Sequence, residues 1–195
     1  MADTINTPVF RAAFISVFKA IKAKDAGEDA KPKYTIRACF PPEADLEPMK
    51  KLAAEAAKEK WGDKLNDKKF AEKLHSPFRT NDELDSPIPG IGDDWVIMTL
   101  SANEDRRPGI VDRKLNDIID EEEVYSGAWY RAQVRAYAWE FSSKRGVSFG
   151  LQNVQKMKDD EQLGAGRMPA SKAFEAVPDE DAPATGAKTA GALFQ

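Results

Sequence analysis

The chain has very little of the residue types that build metal and redox sites. Cys39 is its single cysteine and His75 its single histidine among 195 residues. One cysteine excludes an internal disulfide and every zinc site made from several thiolates, and it suits a reducing compartment. A Cys–His catalytic pair needs the two side chains together. Cys39 lies inside a strand-like run and nothing in the sequence places His75 beside it, so the plainer reading is a half-buried strand cysteine and a surface histidine. No apolar run approaches the roughly 20 residues that cross a bilayer. Met1 to Pro8 lacks the basic and apolar regions of a signal peptide. A cytoplasmic protein without cofactor, metal or membrane partner is therefore expected. No internal repeat is present.

Acidic residues slightly outnumber basic ones, for a net charge of −4. Taken globally, that argues against a polyanion partner. The local balance differs. Tyr125 to Lys158 holds Arg131, Arg135, Lys144, Arg145, Lys156 and Lys158 against Glu140 alone, or +5, while acids collect at Asp117–Glu123 and Asp179–Asp181. Attraction to phosphate follows the local field. The length allows a buried core without disulfides or metals.

Alternation predicts a first strand over Val9–Phe18 and a second over Lys33–Phe40, ended by Pro41-Pro42. Asp45 is a candidate helix N-cap, with Pro48 in the first turn. Leu46, Met49, Leu52, Ala53, Ala56 and Ala57 then repeat at helical spacing up to Trp61 and Gly62. A short second helix is expected near Phe70 and Leu74. Prolines and glycines make Ser76–Asp94 a loop. Trp95–Ser101 reads as a strand, joined by a charged turn through Arg106 and Arg107 to Ile110-Val111 as a hairpin. After Phe174 the composition turns small and polar, so 176–195 is expected to be a disordered tail behind a 1–175 domain. Short strands with one clear helix indicate a small β-barrel or sandwich.

The segment from Ala128 to Phe141 has two unlike faces. Even positions are mostly small and apolar, as the inside of a narrow barrel requires. Odd positions are Trp129, Arg131, Gln133, Arg135, Tyr137, Trp139 and Phe141. Rings stack on any base, and guanidinium groups hold phosphates. An aromatic stripe is more often core, but burying Arg131 and Arg135 unpaired would be costly. Lys144-Arg145-Gly146 reads as a basic loop at a strand end. Val147, Phe149 and Leu151 alternate after it, with Gly150 permitting a bulge or a close approach. Lys33, Arg37, Trp95 and Lys156 are candidates to extend the surface.

Two other readings stay open on these residues. A metal-dependent nuclease would use Asp93, Asp94, Asp112 and Asp117–Glu123, provided that carboxylates converge. A non-catalytic interaction module would turn the same face to a polypeptide.

The runs V-Y-S-G-A-W-Y-R-A-Q-V-R-A-Y-A-W-E, K-R-G-V-S-F-G-L-Q-N-V-Q-K and L-G-A-G-R, with K-Y-T-I and H-S-P-F-R before them, carry a resemblance. They resemble the OB-fold single-stranded DNA-binding proteins of tailed phages. The resemblance is strongest over Tyr125–Arg167 and collinear to about Phe174. It implies a mainly β chain, a five-stranded OB-fold barrel with an inserted α-helix and a flexible C-terminal tail. It also implies sequence-tolerant binding of single-stranded DNA in replication or recombination, without catalysis. A more distant similarity is to the DNA-binding proteins of short-tailed phages, whose acidic tails contact replication proteins. Here Ala192-Leu193-Phe194-Gln195 would be such a tip, although Lys188 and the distance of Asp179–Asp181 depart from that pattern.

Overall fold

Alternating apolar residues drive this chain into long paired strands, seen in a computed structural model that describes residues 4–23 and 30–164. The strands are β1 (Thr4–Asn6), β2 (Phe10–Ile21), β3 (Lys33–Phe40), β4 (Arg79–Thr80), β5 (Val96–Asn103), β6 (Gly109–Val111), β7 (Trp129–Phe141) and β8 (Lys144–Lys158). The helices are α1 (Glu47–Trp61) and the one-turn α2 (Lys68–Ala71). The protein is mainly β with one substantial helix.

All eight strands belong to one sheet. Within it β2 pairs with β3, β3 with β5, β5 with β8, β8 with β7, and β7 again with β2, so these five pairings return to their start. Every step is antiparallel except β5–β8. β1 extends β7, β6 runs parallel to β8, and β4 borders β5. The expected hairpin of β5 with Ile110-Val111 does not form. Ile110 instead lies opposite Val154 on β8, where its side chain is buried.

Residues facing into the ring form the main core, with Phe10, Ile36, Leu100, Tyr130, Val134 and Phe149 fully buried. The second strand has the bounds its alternation predicts, Lys33–Phe40. The first runs Phe10–Ile21, and its inward parity switches part-way. Phe10 and Ala12 are buried, then Val17, while Phe14 between them is 62% exposed. The switch falls where the β2–β3 register shifts, between Ala13 and Ser16, and Phe14 has a left-handed φ of 47°.

Helix α1 packs Met49, Leu52, Ala53, Ala57 and Trp61 against the core and lies over β7 and β8. Its N-cap is Leu46 rather than Asp45; the Asp45 carboxylate accepts from Glu47 N at 3.0 Å. Gly62 takes the C-cap at φ 50°.

A second small cluster lies on the outer side of the sheet. There Ala13, Cys39 and Ile97 are covered by Ile88 and Ile91 of the 84–94 loop. Asn81 holds that loop: its buried side chain donates to the Ile88 and Ile91 carbonyls and accepts from Ile88 N at 2.8 Å. Cys39 is therefore fully buried rather than half-buried, and burial pushes its thiol up to about 12. The tail at 176–195 lies outside the described residues.

Candidate nucleic-acid interface

The two faces of β7 separate as the alternation dictates. Ala128, Tyr130, Ala132, Val134 and Ala136 are buried, and Arg131, Gln133, Arg135 and Tyr137 lie on the other side. Cross-strand register then builds a surface around Arg135. Thr35 of β3 pairs with Ser101 of β5, Ser101 with Gly150 of β8, and Gly150 with Arg135. Three small residues thus form a floor, with one long cation at its end. Gly150 has a specific use here. A Cβ on it would meet Arg135 Cγ at 3.4 Å and Nε at 3.5 Å, so the guanidinium stem lies on bare backbone. Arg135 Nε is buried and makes no hydrogen bond among the described residues.

An open cleft of about 420 Å³ sits over this floor. Lys33, Arg106, Arg107, Arg135 and Tyr137 line it, with Gly150 and Gln152 below, and no acidic side chain among them. None of the four cations makes an ion pair with a described carboxylate. Four uncompensated cations in one concave surface raise the local positive potential despite a net negative chain. Arg135 and Tyr137 also line a second opening, of about 500 Å³, beside Ala56 and Lys60 of α1.

The other residues picked from sequence are distributed along the sheet. Arg37 lies over the Phe14 ring, 5.4 Å from its centroid. Arg131 donates to Gln155 Oε1 at 2.6 Å, beside a smaller cleft with Gln133 and Asn153. Trp129 and Trp95 pack together at 5.9 Å, well away from Tyr137 along β7, and Trp129 Nε1 donates to Asp160 at 2.6 Å. That bond, with the Glu161 backbone N–H, holds the Asp160 carboxyl below the usual range. Trp139 donates to Ser148 Oγ at 2.9 Å and carries the His75 ring stacked on it at 5.9 Å. The surface histidine thus has a structural partner.

Lys144-Arg145-Gly146 belongs to β8 and is not a loop, because the β7–β8 turn closes through Ser142 and Ser143. Arg145 lies over Phe70 at 4.7 Å and 3.8 Å from Glu140, whereas Lys144 is exposed. Lys156 is anchored by the Glu123 carbonyl and Asp159, at 2.7 and 2.9 Å. Phe141 is an exposed residue near the β7–β8 turn.

Arg106 and Arg107 are the cleft residues that sequence reasoning left out. In sequence they sit beside Glu104 and Asp105 in a turn of no net charge. Only the fold shows the arginines turned to the cleft. Among the described residues no three histidine, cysteine or acidic side chains converge as a metal site requires. Asp112, part of the nuclease alternative, is instead bonded within its own turn by Asn116, which lowers its pKa.

A mainly β protein with an open, cationic, ring-bearing sheet face is the class that this fold and site define. Residues 3–184 match the family described as "Enterobacter phage Enc34, ssDNA-binding protein", and the chain belongs to that family. Among solved structures it is similar to the single-stranded DNA-binding protein of bacteriophage Enc34 in complex with ssDNA. That match has a TM-score of 0.62 and 22% identity, over 83% of this chain and 89% of that one. It is also similar to gp2.5, a single-stranded DNA-binding protein encoded by bacteriophage T7. There the TM-score is 0.61 at 12% identity, over 95% and 100% of the chains. No curated protein sequence matches significantly.

Proposed function

We propose that this chain binds single-stranded DNA with little regard to sequence, coating and protecting it in phage DNA replication or recombination, and that it does so without catalysis. The scaffold in this reading is an OB-fold barrel. The five strands of the closed ring have one parallel pairing among antiparallel ones, and α1 is inserted between the second and third of them. A five-stranded Greek-key barrel that presents one sheet face to an oligonucleotide is the OB-fold's usual arrangement.

The observation that carries the reading is the cleft of four cations over a floor of small residues, with the Tyr137 ring at its side. Lys33, Arg106, Arg107 and Arg135 hold successive phosphates. Tyr137 stacks a base, and Arg37 extends the cationic path across β3. Small floor residues let the sugar-phosphate chain approach the sheet closely. Duplex DNA keeps its bases inside and offers the rings nothing to stack on, so a single strand is favoured.

Fluorescence anisotropy of a labelled oligothymidine, beside the matching duplex, tests this. Binding to the single strand should be tighter, and log affinity should fall with log salt with a slope of about −3 for four phosphate contacts. Equal affinity for both forms, or affinity indifferent to salt, would overturn the reading.

A further inference from the structure

We infer that Phe14, at the bulge of β2, is a second base-stacking site that extends the DNA path beyond the cleft. The inference rests on the single-stranded DNA reading above. Strict alternation from Phe10 and Ala12 would put Phe14 inside the barrel. The register shift and a φ of 47° put it outside instead, leaving 62% of the residue exposed. A left-handed backbone is a rare choice for a bulky side chain, and exposing a phenyl ring forfeits its burial. Both features disfavour the folded chain by itself, and both are accounted for if a ligand covers the ring.

What surrounds the ring identifies that ligand. The Arg37 guanidinium lies over Phe14, 5.4 Å from its centroid. A ring held by a cation and open to solvent is suited to a partner that combines a π-face with a nearby negative charge, as a nucleotide does. The position also fits. Phe18, four residues further along β2, has Arg107 over its ring at 4.9 Å, and Arg107 lines the cation cleft. Four strand residues span about 13 Å. The ring and the cleft therefore fall within one bound strand, since an OB fold covers roughly 4–16 nucleotides.

The test uses a labelled oligothymidine of about 12 nucleotides with the full chain and the variants Phe14→Leu and Phe14→Trp. Phe14→Leu keeps an apolar side chain but has no π-face. It should bind about fivefold to 150-fold more weakly, the range of a lost base stack, with an unchanged melting temperature. Phe14→Trp should bind at least as well as the unmodified chain, which a merely structural role would not produce. Wild-type affinity in Phe14→Leu, while the unmodified chain binds, would overturn this inference and leave the cleft reading intact. Failure of the unmodified chain to bind would remove both.

Discussion

Arg135 is where charge, backbone and register meet. Its neighbour across the ladder is a glycine, its Nε is buried without a hydrogen bond, and it lines both openings beside β7. Replacing Arg135 with Ala should weaken single-stranded DNA binding by about 1.5–3 kcal/mol, the worth of a hydrogen bond to a charged group. The salt slope should become shallower by about 0.7. Titrations at several salt concentrations read both. Tyr137→Ala should cost about 1–3 kcal/mol while Tyr137→Phe binds normally, because the stack needs the ring and not the hydroxyl. Both residues were legible in the sequence, since arginine and tyrosine alternate there with small apolar residues. The bracing of Trp129 by Asp160 and of Trp139 by His75 was not legible. Those contacts join residues 31 and 64 positions apart, which a local pattern does not record.

At the scale of elements, period-two runs announced β3, β5 and β7, and helical spacing announced α1. The pairing of β6 was misread because a turn with charged residues and a following Ile-Val suggests a hairpin. What decided it was burial: Ile110 reaches the core against Val154 of β8, a contact 44 residues away. The bulge of β2 was equally hidden, since its residues are apolar on both faces. Ser76–Asp94 was read as a loop; it contains the short strand β4 and a 3-10 turn at Asn81–Glu83, and its irregular 84–94 part has a definite task in covering Cys39. Asn81→Ala removes three buried hydrogen bonds and orphans the Ile88 N–H, which should cost about 2–3 kcal/mol. The loop should then loosen over the thiol. In the folded native chain, Cys39 should resist a disulfide-exchange reagent at pH 8, because its thiol is buried and its pKa is raised to about 12. Asn81→Ala should react measurably faster. Rapid reaction of the native chain would show that the loop does not seal the cluster.

For the whole molecule, a net charge of −4 and a cationic cleft coexist because acids and bases are segregated by the fold. Composition reports only the sum. Of the cations behind the local excess of +5 in Tyr125–Lys158, Arg135 is the one that lines this cleft. Arg145 and Lys156 are occupied internally, while Lys33, Arg106 and Arg107 come from elsewhere in the chain. The central claim is that one outer face, built from β3, β5, β8 and β7, receives the strand. Photocrosslinking with an iodouracil-substituted oligonucleotide, followed by peptide mapping, tests it most directly. Adducts at Tyr137, or on the peptides that carry Lys33 or Arg106 and Arg107, are predicted. Adducts confined to Phe141 at the hairpin end or to the Trp95–Trp129 pair would contradict the account.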